Sequence, residues 1–353
     1  MRTFAIPEES TTELVEQDVP TPTPTGTGVL LRVTHSGVCH TDTHLREGYY
    51  DLGERGQMRL VDRGVPYPLV MGHEVVGVVE ETGPDAGVAK GETRLVYPWI
   101  GCGECAACLD GRENACAKGR NIGVARPGGY ADHIVVPHPR YLVDIEGVDP
   151  SWAATMACSG LTAYSAARKV LPLPTDAPIV VIGVGGVGLT AVATLTALGH
   201  RNICAVDMSE DNLAAAQELG ATTTVVSGDD LAAKVTKATG GPVDAVIDFV
   251  NNSQTAPAAF DMLTKGGHMV QVGLFGGDFT VPTALLALKM LRIEGSFVGT
   301  LGDLEEAVQL AKQGKIPRIP VTEADLDLAS VTDSLDRLTR GGVTGRIVLK
   351  GEA

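Results

Sequence analysis

The chain has 353 residues, of which 44% are hydrophobic and 20% are charged. This length usually corresponds to two domains, and these proportions are those of a folded globular protein, so a largely disordered chain is excluded. The formal net charge of −15 argues against nucleic acid and anionic membranes as partners, because their phosphate groups would be repelled.

Residues 1–150 alternate short apolar runs with turn residues. This pattern predicts a strand-rich first domain, whose strands we place at Val29–Thr34, Val75–Val79, Arg94–Tyr97 and His133–Val136. The start of the chain, Met1–Ser10, has neither the basic residues nor the apolar stretch of a secretory signal. We therefore expect a cytoplasmic protein with no membrane partner.

Four cysteines in this first segment have the spacing C-x2-C-x2-C-x7-C: Cys102, Cys105, Cys108 and Cys116. Four thiolates can surround one Zn²⁺ tetrahedrally, and a shell closed by four protein ligands leaves no position for a substrate. An iron–sulfur cluster and a pair of disulfides are the alternatives. A structural zinc site is favoured, because a chain without an export signal meets a reducing compartment.

Two further cysteines and one histidine lie far apart along the chain: Cys39, His73 and Cys158. Each of them alone is more often a buried thiol or a surface imidazole than a metal ligand. Together they supply the two sulfurs and one imidazole of a zinc site that keeps one coordination position open. The seventh cysteine, Cys204, lies in an apolar run and is expected to be a buried thiol.

From about Pro178 the pattern changes to alternating strands and helices. We predict six strands, at Ile179–Ile182, Ile203–Val206, Thr223–Val226, Ala245–Phe249, Met269–Val272 and Ile293–Val298. The stretches between them have helical character and include Leu189–Leu198, Asn212–Leu219, Leu231–Thr239 and Pro257–Leu263. This alternation predicts a doubly wound parallel sheet. We place this domain at residues 151–298 and expect residues 299–353, with a helix at Leu304–Gln313 and a strand at Arg346–Leu349, to return to the first domain.

A glycine-rich turn joins the first of these strands to a helix, with the residues Gly183, Val184, Gly185, Gly186, Val187 and Gly188. Glycines let the backbone approach a pyrophosphate, whose negative charge is favoured at a helix N-terminus. Asp207 ends the next strand, where a carboxylate accepts hydrogen bonds from ribose hydroxyls and repels a 2′-phosphate. NAD is therefore favoured over NADP. A glycine-rich turn without a ligand is the alternative reading.

Ser36–His44, Gly72–Gly77, the four-cysteine loop and Gly183–Gly188, in this order, resemble the zinc-containing medium-chain alcohol dehydrogenases. The resemblance implies an α/β protein: a GroES-like β-rich catalytic domain at residues 1–150 that carries both zinc ions, and a Rossmann domain that binds NAD(H). The active site is expected in the cleft between them. The resemblance also implies subunit pairing through the strand at Ile293–Val298, in a homotetramer or otherwise a homodimer.

The same resemblance implies roles for residues around the metal. The catalytic zinc ligands match Cys39, His73 and Cys158. Glu74 matches a nearby acidic residue that can approach the metal, and Asp42 matches the carboxylate that orients the histidine ligand. Thr41 matches the hydroxyl that bonds the substrate oxygen, and His44 matches the outer end of a proton relay through the cofactor ribose.

Four further residues match positions around the cofactor. His40 and Arg346 match positions that reach its pyrophosphate, while Thr162 and Val187 match positions around its nicotinamide. The connection Tyr49–Gly64 is longer and more charged than in many members of the family. We expect this connection to border the substrate entrance.

The expected reaction is reversible hydride transfer between NAD(H) and a primary or secondary alcohol, with an aldehyde or ketone as the carbonyl partner. An alcohol bound to the catalytic zinc ionises near neutrality, and the alkoxide donates hydride more readily than the alcohol. Asp42 as a helix cap and His44 as a surface histidine are the alternatives for those two residues. Rival functions are a zinc-free relative that only binds reduced nicotinamide, and a polyol or formaldehyde dehydrogenase.

Overall fold

The computed structural model describes residues 1–9 and 11–352, which form two large β-sheets surrounded by helices. Ser10 and Ala353, which end two of the ranges considered above, lie outside the described residues. Across 1–9 and 11–352, no helix is both long enough and apolar enough to span a membrane.

The first part of the chain is mainly β structure. Its strands are β1 (Arg2–Ile6), β2 (Val15–Asp18), β3 (Val29–Val38), β4 (Tyr49–Asp51), β5 (Gln57–Arg59), β6 (Leu69–Val70), β7 (Glu74–Thr82), β8 (Thr93–Val96), β9 (His133–Val136) and β10 (Leu142–Asp144). Its helices are α1 (His40–Glu47) and α2 (Ala106–Leu109). All four strands predicted in this segment are present, and their Val- and Ile-rich runs suit a half-buried pleated sheet.

The next part of the chain alternates strands and helices. Its strands are β11 (Ile179–Ile182), β12 (Ile203–Asp207), β13 (Thr223–Val226), β14 (Val243–Asp248), β15 (Leu263–Gln271) and β16 (Arg292–Gly295). Its helices are α3 (Pro150–Thr155), α4 (Leu161–Val170), α5 (Gly186–Ala197), α6 (Glu210–Glu218), α7 (Leu231–Thr239), α8 (Thr255–Asp261) and α9 (Thr283–Leu288). The chain ends with α10 (Leu301–Lys312), β17 (Val321–Asp325), α11 (Leu328–Arg340) and β18 (Arg346–Lys350).

The second sheet has six parallel strands in the order β13-β12-β11-β14-β15-β16. This is the strand order of a Rossmann fold, with the order reversing between β11 and β14. The central strand β11 is buried along its whole length, because helices cover both faces of such a sheet. The predicted doubly wound sheet is confirmed.

The first sheet has the order β10-β8-β7-β3-β18-β17, and β9 also pairs with β3. β3 pairs Gly37 with Glu74 of β7 on one side and Val38 with Ile347 of β18 on the other. Strands from the beginning and the end of the chain therefore lie side by side. This register places the end of β3, the start of β7 and the start of β18 next to one another at one end of the sheet.

Two features near the end of the chain differ from the prediction. β16 ends at Gly295, three residues before the predicted Val298, and Val298 has a left-handed backbone with φ of +45° that interrupts an extended strand. Neither β17 nor α11 was predicted. The strand β17 is acidic and lies at the sheet edge, so it lacks the apolar run that marked the other strands.

Candidate active site and metal centres

The four cysteines of the C-x2-C-x2-C-x7-C segment lie together in a loop around the short helix α2. Their sulfur atoms all lie within 4.8 Å of one another, with Cys105 Sγ 3.5 Å from Cys108 Sγ and 3.8 Å from Cys116 Sγ. Backbone amides of Cys102 and Lys118 donate to the Cys116 sulfur. Such N–H donors stabilise a thiolate, as a metal ligand requires.

These sulfur distances fit one tetrahedral ion. Four sulfurs placed 2.3 Å from Zn²⁺ at the corners of a tetrahedron lie about 3.8 Å apart. A disulfide would need about 2.05 Å, and all seven cysteines of the chain are free. An iron–sulfur cluster holds several iron atoms, so its cysteine ligands lie farther apart than these. The geometry therefore favours a single closed metal site.

Cys39, His73, Glu74 and Cys158 form a second group, assembled from distant parts of the chain. All four are buried, and one ligand atom from each lies within 4.8 Å of the others. The two sulfurs are 3.9 Å apart, again the edge of a zinc tetrahedron. Among the described residues, neither ring nitrogen of His73 makes a hydrogen bond of good geometry, although Nδ1 faces Asp42. A buried imidazole without hydrogen-bond partners beside two thiols fits the role of a metal ligand.

Local structure explains how the two sulfurs are presented. Cys39 is the N-cap residue of α1 and has extended backbone angles, so its side chain projects from the end of the helix rather than along it. Cys158 lies in a π-helical turn, Met156–Gly160, between α3 and α4. Turns of this kind insert an extra residue into a helix and frequently occur at functional sites.

Asp42 ties these segments together. Its Oδ2 atom accepts a hydrogen bond of 3.0 Å from the backbone N–H of Cys39, which closes the first turn of α1. Its Oδ1 atom lies 3.2 Å from Nδ1 of His73. Asp42 therefore caps the helix and also lies within hydrogen-bond distance of the ring of a candidate ligand, so the two interpretations of this residue are compatible.

Glu74 and Arg346 form a buried ion pair beside the same cluster. An Nη2 atom of Arg346 lies 2.5 Å from Glu74 Oε2, and Glu74 Oε1 accepts a hydrogen bond from the Ser159 amide. Burial raises the pKa of Glu74 to about 7, although Arg346 opposes this. A Cβ on Gly37 would lie 2.0 Å from Glu74 Oε2, so only glycine leaves room for this carboxylate.

The glycine-rich turn connects β11 to α5. Gly183 has φ of +79°, and a Cβ on Gly188 would lie 2.0 Å from the Gly183 carbonyl oxygen. By contrast, a Cβ on Gly185 would meet nothing within 4 Å, which leaves open space at the N-terminus of α5. Asp207, at the end of β12, accepts hydrogen bonds from the amides of Val184 and Ser209, which fixes its carboxylate beside this turn.

Arg346 links the glycine-rich turn to the metal cluster. A Cβ on Gly186 would lie 2.3 Å from Arg346 Cδ, so the arginine side chain lies against the start of α5 while its guanidinium reaches Glu74. Val187 is half-buried on α5, and Thr162 is buried on α4. His40, the first residue of α1, has its ring 5.4 Å from that of Phe275.

Thr41 and His44 lie three residues apart on α1, so they are neighbours on one helix face. Both are partly exposed. The His44 ring packs on that of Tyr50 in β4, with centroids 4.9 Å apart. Burial lowers the pKa of His44, although Glu47 nearby raises it. His44 is therefore neither fully buried nor an isolated surface residue.

The Tyr49–Gly64 connection forms a hairpin of β4 and β5 followed by a short 3-10 turn. The amide of Glu54, at the tip of this hairpin, donates to Asp278 Oδ2 at 2.8 Å. Asp278 lies in the loop that follows β15, at the carboxyl end of the second sheet. The hairpin thus contacts the edge of the sheet where ligands bind in doubly wound folds.

Aromatic side chains lie next to the buried cluster. The Trp99 ring is 5.3 Å from the His73 ring and 5.6 Å from the Phe297 ring. Trp99 Nε1 donates to the carbonyl of Ala157, which fixes the indole beside the Cys158 turn. These rings therefore give one side of the cluster an apolar character, whereas Asp42 and the Glu74–Arg346 pair lie on other sides.

Two contacts at the site had no signal in the sequence. The hydroxyl of Tyr130 donates to Asp42 Oδ2, and Phe275 packs on His40. Both aromatic residues lie in segments without a recognisable motif, so only the tertiary pairing of distant strands and loops shows that they belong to the site.

Comparison with known proteins gives consistent results. The chain matches the family models of the alcohol dehydrogenase GroES-like domain over residues 25–147 and of the zinc-binding dehydrogenases over residues 186–313. It is 35% identical over 337 residues to the NAD-dependent alcohol dehydrogenase of Sulfurisphaera tokodaii, an alignment that covers 94% of this chain and 95% of that protein.

Solved structures agree with this result. The alcohol dehydrogenase of the hyperthermophilic archaeon Aeropyrum pernix superposes with a TM-score of 0.89 at 31% identity, covering 99% of this chain and 100% of that one. The acetophenone reductase of Geotrichum candidum, solved in complex with NAD, superposes with a TM-score of 0.85 at 28% identity, covering 99% and 96% of the two chains. The GroES-like and Rossmann architectures expected from the sequence are confirmed.

Proposed function

Since the chain belongs to the zinc-containing medium-chain alcohol dehydrogenases and is an NAD-dependent alcohol dehydrogenase, we propose roles for its residues in that reaction. We propose that Cys39, His73 and Cys158 hold the catalytic zinc and that the reaction is reversible oxidation of apolar primary or secondary alcohols. The convergence of these three buried side chains, from segments far apart in sequence, is the observation that carries the proposal.

A zinc ion at this position supplies a Lewis acid that lowers the pKa of an alcohol hydroxyl, and bound NAD supplies the hydride acceptor. The chain's own residues determine how a substrate is held and where its proton goes. The Thr41 hydroxyl would accept a hydrogen bond from the alcohol hydroxyl, and His44 would pass the proton that the alcohol releases to solvent, because an imidazole exchanges protons near neutral pH. Tyr50 holds the His44 ring through the aromatic contact described above.

Asp42 and Glu74 act on the ligands rather than on the substrate. Asp42 lies at hydrogen-bond distance from the His73 ring, so it selects the tautomer whose other nitrogen is free to bind metal. Glu74 is held by Arg346 and by the Ser159 amide. This pairing keeps the carboxylate beside the metal position without requiring it as a ligand. The four-cysteine loop is proposed to hold the structural zinc.

We assign the cofactor to the glycine-rich turn, with Gly183, Gly185, Gly186 and Gly188 at the pyrophosphate and Asp207 at the ribose hydroxyls. We place His40 and Arg346 near the pyrophosphate, where both side chains offer N–H donors, and Thr162 and Val187 at the border of the nicotinamide. We accordingly assign residues 1–150 and 299–353 to the catalytic domain and residues 151–298 to the nucleotide-binding domain. The return of β17 and β18 to the first sheet supports this division.

The substrate class follows from the aromatic lining of the cluster. Trp99 and Phe297 offer apolar ring surfaces and, apart from the bonded indole N–H, no donor or acceptor for further hydroxyl groups. A polyol would lose hydrogen bonds to water there without replacing them. We therefore propose aliphatic or aromatic alcohols as substrates and disfavour the polyol alternative.

Metal content and an alcohol panel test this proposal. The wild-type protein is expected to hold about two zinc ions per chain and to reduce NAD with apolar alcohols, read by NADH absorbance. Cys158→Ser should hold one zinc and lose most activity, whereas Cys204→Ser is the matched control, since Cys204 is a buried thiol in β12 away from both metal groups. Equal activity of Cys158→Ser and Cys204→Ser, or faster turnover of polyols than of apolar alcohols, would contradict the proposal.

We further propose a homodimer formed through β16, with a tetramer built from two such dimers. β16 is the outer strand of the second sheet, and an unpaired strand edge favours pairing with another chain. Antiparallel pairing of two copies about Ile293 places Arg292 opposite Glu294 of the partner subunit. The exposed apolar side chains of Leu288 and Met290 lie close to this strand in sequence and would be covered by this contact.

Molar mass in solution tests the assembly. The double variant Leu288→Glu/Met290→Glu is expected to have a smaller mass than the wild type in light scattering, because charges would be buried at the contact. Met208→Glu, at a methionine after β12 that is even more exposed than Met290, is the control and should retain the wild-type mass. A monomeric wild-type protein would refute the assembly without affecting the proposed chemistry.

A further inference from the structure

We infer that Tyr130 is a positioning residue of the catalytic metal site, which acts through Asp42 on His73. The inference rests on the proposed zinc site at Cys39, His73 and Cys158. Tyr130 contacts none of the proposed ligand atoms by its hydroxyl, so its role is to hold the carboxylate that in turn holds the ligand ring. No motif in the sequence assigns any role to this residue.

The hydroxyl of Tyr130 completes the set of donors around a buried carboxylate. Asp42 Oδ2 accepts hydrogen bonds from the Tyr130 hydroxyl and from the Cys39 amide, each at 3.0 Å. Asp42 Oδ1 faces His73 Nδ1 at 3.2 Å and the Gly72 amide at 3.4 Å. Asp42, His73 and Tyr130 are all fully buried. Water therefore cannot replace a missing donor without entering the core.

The backbone places Tyr130 beside the histidine ligand. The amides of Gly129 and Tyr130 donate to the carbonyls of Gly72 and Met71, so the two segments run together just before His73. The Tyr130 ring lies against Gly72, where a Cβ would be 2.7 Å from ring atom Cδ1. Gly72 also has φ of +89°, which glycine tolerates readily. The ring position is therefore determined by the same segment that presents His73.

Loss of the Tyr130 hydroxyl alone would change the set of hydrogen-bond donors to the Asp42 carboxylate. Oδ2 would keep a single donor, the Cys39 amide, and the carboxylate could rotate toward the remaining donors. The His73 ring would then be oriented less firmly, although the phenylalanine ring fills the same space. Residues that orient metal ligands through hydrogen bonds typically change metal affinity by about 10- to 100-fold when substituted. We therefore expect Tyr130→Phe to weaken retention of the catalytic zinc.

Tyr97 provides a matched control in the same core. Its side chain is also fully buried, and its hydroxyl donates to the Gly299 carbonyl at 2.9 Å, with no bond to Asp42. Tyr97→Phe deletes the same atom and one buried hydrogen bond. Each variant thus removes one buried hydroxyl and one hydrogen bond. The difference is the acceptor, which is the Asp42 carboxylate for Tyr130 and the Gly299 carbonyl for Tyr97.

Zinc release to an excess of a colorimetric chelator tests the inference. Wild-type protein should release zinc in two phases, and Cys158→Ser, which lacks one catalytic ligand, identifies the phase that belongs to the four-cysteine loop. Tyr130→Phe is expected to release the catalytic zinc about 10- to 100-fold faster, with the structural phase unchanged. Tyr97→Phe is expected to release both ions at the wild-type rates.

Cobalt(II) placed in the catalytic position gives a second readout, because its visible d–d bands respond to ligand orientation. The bands should shift in Tyr130→Phe and not in Tyr97→Phe. Wild-type release rates and bands in Tyr130→Phe, or equal changes in both variants, would overturn the inference while leaving two zinc ions per chain intact. A wild-type protein with only the structural phase would instead overturn the proposed catalytic site on which the inference rests.

Discussion

Asp207 shows how one carboxylate can select a cofactor. Its two oxygens accept hydrogen bonds from the amides of Val184 and Ser209, so the charge is fixed at the end of β12 before any ligand binds. A ribose with two hydroxyls can donate to it, whereas a 2′-phosphate would be repelled. Replacement of this charge is therefore expected to affect NAD and NADP in opposite directions.

We predict that Asp207→Ser raises the KM for NAD about tenfold, the effect of losing roughly 1.4 kcal/mol of hydrogen bonding, and lowers the KM for NADP. Initial rates with each cofactor measure this effect. Asp211→Ser is the control, because Asp211 is an exposed acidic residue in the first turn of α6 and its substitution removes the same charge. Parallel changes for NAD and NADP in Asp207→Ser would contradict the assignment.

His44 gives a prediction for pH dependence. Burial, the largest influence, lowers the pKa of His44, and Glu47 partly offsets this. A histidine with a lowered pKa stays neutral, and able to accept a proton, below pH 6.5. Alcohol oxidation in the wild type should therefore persist at mildly acidic pH and decline only as the pH falls through this lowered pKa.

The matching variant is His44→Gln, which cannot titrate. We expect its kcat/KM for alcohol oxidation to be about tenfold lower, less than the hundredfold typical of a direct general base, because solvent can replace the outer relay group. The pH at which kcat/KM falls on the acidic side should differ between His44→Gln and the wild type. An unchanged acidic decline in His44→Gln would show that another group governs it.

At the scale of an element, the turn between β11 and α5 uses its glycines for two different reasons. Gly188 is needed by the fold, because a Cβ there would lie 2.0 Å from the Gly183 carbonyl oxygen. Gly185 is not, because it has φ of −71° and a Cβ there would meet no atom within 4 Å. Its open space is the approach to the N-terminus of α5, where an anionic group is favoured.

We predict that Gly188→Ala lowers the free energy of unfolding by about 1–3 kcal/mol, as overpacking does, whereas Gly185→Ala leaves it unchanged. Gly185→Ala should instead weaken NADH binding about tenfold, because its methyl group occupies the space that the pyrophosphate approaches. Thermal unfolding and NADH fluorescence titration measure the two effects. Equal NADH affinity in Gly185→Ala and wild type would place the pyrophosphate elsewhere.

The elements that were predicted are those whose local sequence determines them. The six strands of the second sheet were recognised because apolar runs such as Ile179–Ile182 are buried on both faces and alternate with helical segments. The edge strand β17 and the helix α1 had no such signal. The first turn of α1 consists of polar residues around a metal ligand, so its helical pattern is obscured by its function.

The candidate site could be predicted only in part for a related reason. The four cysteines of the loop form a local motif with specific spacing, whereas Cys39, His73 and Cys158 were assigned by their residue types and by the resemblance to a family. The ion pair of Glu74 with Arg346 and the bond from Tyr130 to Asp42 depend on the register of strands that are distant in sequence. Composition and periodicity carry no information about that register.

At the scale of the whole molecule, several contacts join the part of the chain that carries the metal groups to the part that carries the nucleotide turn, and two of them lie near the proposed cofactor site. One is Arg346, which lies against Gly186 and binds Glu74. The other is the β4–β5 hairpin, whose Glu54 amide donates to Asp278 in the loop after β15. The same loop places Phe275 on His40. The hairpin and this loop therefore border one side of the proposed cofactor site.

We predict that Asp278→Ala accelerates NADH dissociation about fivefold, which corresponds to one hydrogen bond of about 1 kcal/mol. The Glu54 amide would lose its acceptor, and the hairpin would separate more readily from the loop that borders the proposed cofactor site. Stopped-flow displacement of NADH, followed by its fluorescence, measures the rate. Zinc content should stay at the wild-type value, since Asp278 lies outside both metal groups.

Asp261→Ala is the control for this prediction, because Asp261 is an exposed aspartate at the end of α8 and its substitution removes the same charge. Faster NADH dissociation in Asp278→Ala alone would assign the effect to the hairpin contact, since a general change in charge would appear in both variants. Gly53 adds a steric check: its φ is +61° and a Cβ there would lie 2.3 Å from Asp278 Oδ2, so Gly53→Ala should break the contact from the opposite side. If Gly53→Ala left NADH dissociation unchanged while Asp278→Ala accelerated it, Asp278 would act on the cofactor directly and the hairpin would not retain it.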